Sequence, residues 1–262
     1  GKTSIENHPD SRPVVSELLA VDKIINLSRS KGGRPHIAHM TAGGSVELLR
    51  NGKKTVPGLT GETCPQYLLL DRSTYEDEEG YLFSATPPFR EAEDRTSLWQ
   101  GLKDGVIDMV STDHCPFTID QKAHFENDFT KIPQGLPGIE TLGPLLLTES
   151  VDKNRISIER AVSLISENPA RIFGLYPQKG SLIVGTDADL AVIDPKRKKE
   201  LSPEELHMRT DFNPYTGRTA RWWPRLVLLR GQPVIKGGEF SGRKSGGSWI
   251  GRARQTNYQG GP

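Results

Sequence analysis

Side chains able to do chemistry collect at three places along these 262 residues, each where a short apolar run gives out. His39 closes His36-Ile37-Ala38-His39, Thr86 stands before Pro87-Pro88, and Asp113 opens Asp113-His114-Cys115 behind the run Val106-Ile107-Asp108-Met109-Val110. An imidazole nitrogen and a carboxylate oxygen are donors that a hydrolytic zinc or similar divalent site uses. A bound cation brings the pKa of its water to about 7 and so supplies hydroxide at neutral pH. Each residue taken singly also has an ordinary reading. A histidine at the end of a buried strand is often satisfied by backbone alone. Asp113 is the stronger candidate, because an aspartate after a mostly apolar approach is costly to bury without a cation or several donors. His36 precedes His39 by three residues, which on a strand turns the two rings to opposite faces; His36 is therefore expected to be structural. Cys115 could serve as a nucleophile beside His114, but no third group is in place to orient the pair, and a packed thiol is expected. His8, His124 and His207 stand among polar neighbours and read as surface residues.

The elements around these residues must bring them to one face. Val14, Leu18, Val21 and Ile25 recur at steps of four, three and four after Pro13, and Gly32-Gly33 follows: an amphipathic helix. His36 to Thr41 reads as a buried strand, Ser45 to Arg50 as a helix, Thr55 to Thr63 and Leu82 to Ala85 as strands, Glu91 to Lys103 as a helix, and Val106 to Thr112 as a strand. Short apolar strands alternating with helices predict parallel βαβ units, in which functional side chains gather at the carboxyl ends of the strands. The pattern changes near Tyr176. Beyond it, Lys179 to Gly185, Asp189 to Asp194, Arg225 to Arg230 and Pro233 to Lys236 read as short strands with Gly231-Gln232 as a turn. The expected organisation is a barrel part over 1–176, a sandwich segment over 177–240 and an extended basic tail over 241–262.

Composition narrows the function. With 34 basic and 33 acidic residues the net charge is +1, so nucleic acid and membrane surfaces are not indicated as partners, and no run approaches the roughly 18 apolar residues of a membrane span. Two cysteines, Cys64 and Cys115, are too few for a disulfide framework, and a cytoplasmic location is expected.

Several segments in order resemble one known family. His8-Pro9-Asp10-Ser11-Arg12-Pro13, His36-Ile37-Ala38-His39-Met40-Thr41, Glu62-Thr63-Cys64-Pro65-Gln66-Tyr67-Leu68 and Ser84-Ala85-Thr86-Pro87-Pro88 are similar to the dihydropyrimidinase and hydantoinase branch of the cyclic amidohydrolases. So are Ser111 to Phe117, Phe129 to Gly135, Gly138-Ile139-Glu140, Asn168-Pro169-Ala170-Arg171 and Gly185 to Leu190. The resemblance covers nearly the whole chain. It implies an α/β fold, the C-terminal half of a (β/α)₈ TIM-like barrel followed by strands of a small β-sandwich. It further implies two divalent metal ions, zinc or else manganese, bridged in the family by a carboxylated lysine that has no counterpart here. By position His39 would be a metal ligand closing the sixth barrel strand. Asp113, closing the eighth, would both contact metal and carry the proton. The implied reaction is attack of hydroxide on a ring carbonyl, with Asp113 as base and then as acid toward the departing ring nitrogen, opening a dihydropyrimidine or hydantoin to an N-carbamoyl amino acid. Thr86 and Gln134 match substrate-holding positions where the family more often has Ser and Asn.

The family's early His-x-His pair, its substrate-polarising tyrosine and its fifth-strand histidine also lack counterparts, and His8 belongs to the segment after that strand. Residue 1 is Gly. The expectation is a piece of a longer enzyme, inactive alone, with two exposed sheet edges. A non-catalytic dihydropyrimidinase-like scaffold and an allantoinase-type hydrolase are the competing readings; retention of both His39 and Asp113 argues against the first. The family implies a homotetramer acting on a small cyclic ureide, with Trp222-Trp223-Pro224 either at a subunit contact or packed within the sandwich.

Overall fold

The protein was analysed as a computed structural model, which describes residues 1–242 and 246–252. The described residues fall into two compact units, one formed by Gly1–Leu142 with Leu201–Gly217, the other by Gly143–Glu200 with the residues from Arg218 onward.

In the first unit α1 (His8–Ser11) leads into α2 (Val14–Lys31), then β1 (His36–Ile37), α3 (Gly43–Lys53), β2 (Thr60–Thr63), α4 (Pro65–Leu69), α5 (Ala92–Lys103), β3 (Met109–Val110) and α6 (Ile119–Ala123). Helix α2 forms where its apolar spacing predicts. Val21 and Ile25 are buried, and Gly32 ends the helix at φ 74, a conformation that is cheap only for glycine, with its N–H on the Ser28 carbonyl. The three strands make a parallel sheet in the order β1-β2-β3, with His36 opposite Thr60 and Glu62 opposite Met109. Gly61 is required in β2 because a Cβ there would stand 2.7 Å from Leu49 and 2.8 Å from the Met40 sulfur, both core side chains. Two carboxylates serve the start of α3. Glu17 accepts from the main-chain N–H groups of Thr41 and Ala42 at 3.0 and 3.1 Å, and Asp94 accepts from Gly43 N at 2.8 Å, which satisfies donors that a helix start leaves orphaned.

Two expected strands are absent. Leu82 to Ala85 does not pair in a sheet: Gly80–Phe83 is a 3₁₀ turn, and the Ser84 carbonyl is taken by the Gly135 N–H at 3.0 Å and the Lys122 ammonium at 3.0 Å instead of a ladder partner. Burial of Leu82, Ser84 and Ala85 mimics a strand in the sequence without requiring one. Lys179 to Gly185 is likewise irregular, held between Gly180 and Gly185 at φ 75 and 95, with Lys179 bound to Asp187 at 2.8 Å and to Asp189.

The second unit contains α7 (Leu142–Leu147), which begins at the last residue of the first, and α8 (Ile158–Ile165) and α9 (Glu167–Ile172). Its strands are β4 (Leu190–Asp194), β5 (Lys199–Glu200), β6 (Thr219–Ala220), β7 (Trp223–Leu229), β8 (Gln232–Lys236) and β9 (Glu239–Phe240). An antiparallel sheet runs β4-β7-β8-β9, and β5 pairs with β6. Arg230 and Gly231, at φ 47 and 76, turn the chain between β7 and β8, as a two-residue hairpin requires. Trp223 is buried and donates to the Ala220 carbonyl, whereas Trp222 reaches Asp152. Of the tail expected over 241–262, residues 243–245 and 253–262 lie outside the described residues. Among the described residues no helix is long and apolar enough to cross a membrane.

Candidate functional site

Two of the expected site residues share a backbone peculiarity. His39 follows β1 at φ 39 and Asp113 follows β3 at φ 47, left-handed conformations that only a few per cent of non-glycine residues adopt and that gather at functional sites. Each thus leaves its strand abruptly, at the carboxyl end of the same parallel sheet, on either side of the end of β2. Neighbouring strands lie about 4.8 Å apart, so the two positions flank β2 across about 10 Å of sheet.

The Asp113 side chain is exposed and makes no hydrogen bond or ion pair among the described residues. The burial cost inferred from its apolar approach therefore does not arise; the strand end delivers the carboxylate unpaired. His39 is half-buried and borders a cleft of about 360 Å³ whose lining includes His36, Thr86, Glu17 and Arg90. His36 and His39 edge the same cleft rather than opposite faces, because β1 ends at Ile37 and strand alternation does not extend to His39. Thr86 and Gln134 meet: the Thr86 hydroxyl donates to Gln134 Oε1 at 3.3 Å, while Gln134 Nε2 donates to the carbonyls of Phe129 and Ile132 at 3.1 and 2.9 Å. The glutamine is a strut whose own amide is already engaged.

Sequence reasoning missed the polar layer beneath these residues. Glu62, on β2 and 9% exposed, lies 3.1 Å through Oε2 from His36 Nε2 and accepts the Ser111 hydroxyl at 2.8 Å through Oε1. His36 Nδ1 lies 2.8 Å from the Thr60 hydroxyl, which leaves Nε2 to face Glu62. Burial opposes ionisation of Glu62, but hydrogen bonds from His36 and Ser111, the charge of His36 and the His39 main-chain N–H outweigh it and hold its pKa below the ordinary value. The signal was available, since a glutamate within the expected strand Thr55 to Thr63 must find partners once that strand is buried.

Other assignments change as well. His8 is fully buried, with Nε2 2.9 Å from the Ala85 carbonyl, and burial lowers its pKa; it is a core residue, not a surface one. Cys115 is exposed rather than packed, and its Cβ and carbonyl are what forbid a side chain at Gly135. Cys64 is buried, with burial pushing its thiol pKa up, which argues against a nucleophile there. Lys122 is fully buried against Ser84 and its pKa is pushed down to about 7, chiefly by burial. The exposed His207 pairs with Glu140 at 3.0 Å, and His124 is exposed.

Among the described residues no three His, Cys, Asp or Glu side chains form a metal-binding group. The donor chemistry of His39 and Asp113 nevertheless suits a divalent cation, one imidazole and one unpaired carboxylate at strand ends on either side of β2.

Residues 28–234 match the Amidohydrolase family. A D-phenylhydantoinase of Escherichia coli O1:K1 / APEC is 39% identical over 254 residues, covering 96% of this chain and 55% of that protein. The structure superposes on a D-hydantoinase (dihydropyrimidinase) from Thermus sp. with a TM-score of 0.92 at 33% identity, over 95% of this chain and 55% of the other. On a dihydropyrimidinase from Brevibacillus agri the TM-score is 0.89 at 36% identity, over 92% and 53%. The chain thus spans about half the length of these relatives. It belongs to the amidohydrolase family and is similar to the hydantoinases and dihydropyrimidinases within it.

Proposed function

We propose that this chain is the C-terminal half of a metal-dependent cyclic amidohydrolase, with the last strands of a (β/α)₈ barrel in the first unit and part of a β-sandwich in the second. The observation that carries the reading is the pair of left-handed strand ends, His39 and Asp113, on one parallel sheet. His39 and Asp113 would hold the metal, with further ligands from residues outside this sequence. A divalent cation in such a site lowers the pKa of water and polarises a carbonyl. The Asp113 carboxylate, unpaired and accessible, takes the proton released as water adds to the ring carbonyl and delivers it to the ring nitrogen as the C–N bond breaks. One carboxylate thus closes the proton balance of ring opening, yielding an N-carbamoyl acid. Thr86 and Gln134, tied together, hold the segments that orient the imide or ureide edge of the substrate.

The test is side-by-side assay of hydantoin, dihydrouracil and allantoin with the complete, zinc-loaded protein. Ring opening of hydantoin or dihydrouracil, abolished by a chelator and restored by zinc or manganese, is the expected result. Turnover of allantoin alone would move the protein to the allantoinase type, and no turnover of any of the three would overturn the hydrolase reading in favour of a scaffold.

A further inference from the structure

Glu62 engages the segments that lead to both strand ends of the candidate site. Its Oε1 accepts from Ser111, two residues before Asp113, and its Oε2 faces His36, three residues before His39; the His39 main-chain N–H also favours its ionised form. The main chain repeats the linkage. The Glu62 carbonyl accepts from Met40 N at 2.8 Å, and the next carbonyl, of Thr63, accepts from Ser111 N at 3.0 Å. The Thr63 hydroxyl closes the set by donating to the Met40 carbonyl at 2.8 Å. A carboxylate serving only His36 would leave Oε1 free for water; here it reaches across to Ser111 as well.

We propose that Glu62 is a positioning residue that sets the separation of His39 and Asp113, with His36 and Thr60 orienting it. This rests on the reading of His39 and Asp113 as metal-holding residues. The chain contains its own control. Asp108 is a comparably buried carboxylate directly before β3, but its hydrogen bonds come from Lys53 at 2.7 Å and Gly61 N at 2.8 Å rather than from Ser111. Loss of Asp108 should cost stability alone, whereas loss of Glu62 should also loosen the site.

The experiment compares Glu62→Ala, Glu62→Gln, Ser111→Ala and Asp108→Asn in the complete protein. Its readouts are zinc affinity by chelator competition, kcat and KM for a hydantoin, and amide exchange at His39 and Met40. For Glu62→Ala, zinc affinity falls at least about tenfold, as it does when groups supporting metal ligands are removed. The rate loss lies in kcat rather than KM, and the two amides exchange faster. Glu62→Gln, which retains one acceptor oxygen, and Ser111→Ala, which changes little volume, fall between this variant and the parent, so the inference stays testable if Glu62→Ala does not fold. Asp108→Asn keeps parental zinc affinity. Parental zinc affinity in every Glu62 and Ser111 variant, or the same loss in Asp108→Asn, overturns the inference. A parent protein that neither binds zinc nor opens a hydantoin would refute the proposed function instead; amide exchange then decides the bracing role alone, faster exchange supporting it and unchanged exchange refuting it.

Discussion

The two units use left-handed backbone to different ends. In the first, His39 and Asp113 adopt it at the ends of short parallel strands, where it turns polar side chains away from a sheet whose β2 and β3 are buried. In the second, Arg230 and Gly231 adopt it merely to reverse the chain between β7 and β8 of a sheet whose residues are mostly half-buried or exposed. The same conformational cost, of order 1 kcal/mol per non-glycine residue, supports presentation of chemistry in one place and register in the other. The buried sheet also carries buried polar partners, Glu62, Asp108 and Thr60 among them, while β4 and β8 leave much of their length to water.

The sharpest contrast should come from Asp113→Asn. Its side chain is exposed and unpaired, so the thermal midpoint is expected to stay put while kcat for ring opening falls by about 10²–10⁴, the usual contribution of a positioned acid–base group. A parental rate would remove Asp113 from the reaction. Next in size, Leu49→Ala opens a cavity beneath β2, where Leu49 is fully buried, and should cost about 2–5 kcal/mol in denaturant unfolding. The matching truncation in the second unit, Val192→Ala on half-exposed β4, should cost under about 1 kcal/mol. Equal losses would mean that the two sheets do not differ in how burial sustains them.

Lys122 gives the contrast a pH dependence. Its folded-state pKa of about 7 lies below the ordinary lysine value of 10.5, so between these the native state binds fewer protons than the unfolded chain. The cost of burying the ammonium is therefore complete below pH 7 and is relieved as pH rises, contributing about 2 kcal/mol of added stability between pH 7 and pH 9. Lys122→Met should lack that rise in a series of melts. A small effect confined to stability is expected at the hairpin: Gly231→Ala, at φ 76, should lower stability by about 1 kcal/mol and leave kcat untouched.

Much of this was legible in the residues. Helix α2 and the strands β4, β7 and β8 follow from apolar spacing and from Gly32 and Gly231, because periodicity and turn chemistry are local properties. Thr86 meeting Gln134 was not local, and entered only through resemblance of the segments around them. The Leu82 to Ala85 segment misled because burial without pairing leaves the same apolar signature as a strand. Glu62 went unnoticed because its meaning lies in partners 26 residues upstream and 49 downstream, which one-dimensional spacing does not register. Left-handed His39 and Asp113 were equally hidden, since nothing in a histidine or aspartate announces its φ.

The most direct test is anomalous diffraction at the zinc edge from crystals of the complete, zinc-loaded protein. An imidazole nitrogen of His39 and a carboxylate oxygen of Asp113 should each lie about 2.0–2.2 Å from a zinc ion. Zinc bound elsewhere, with both side chains left in solvent, would contradict the central claim.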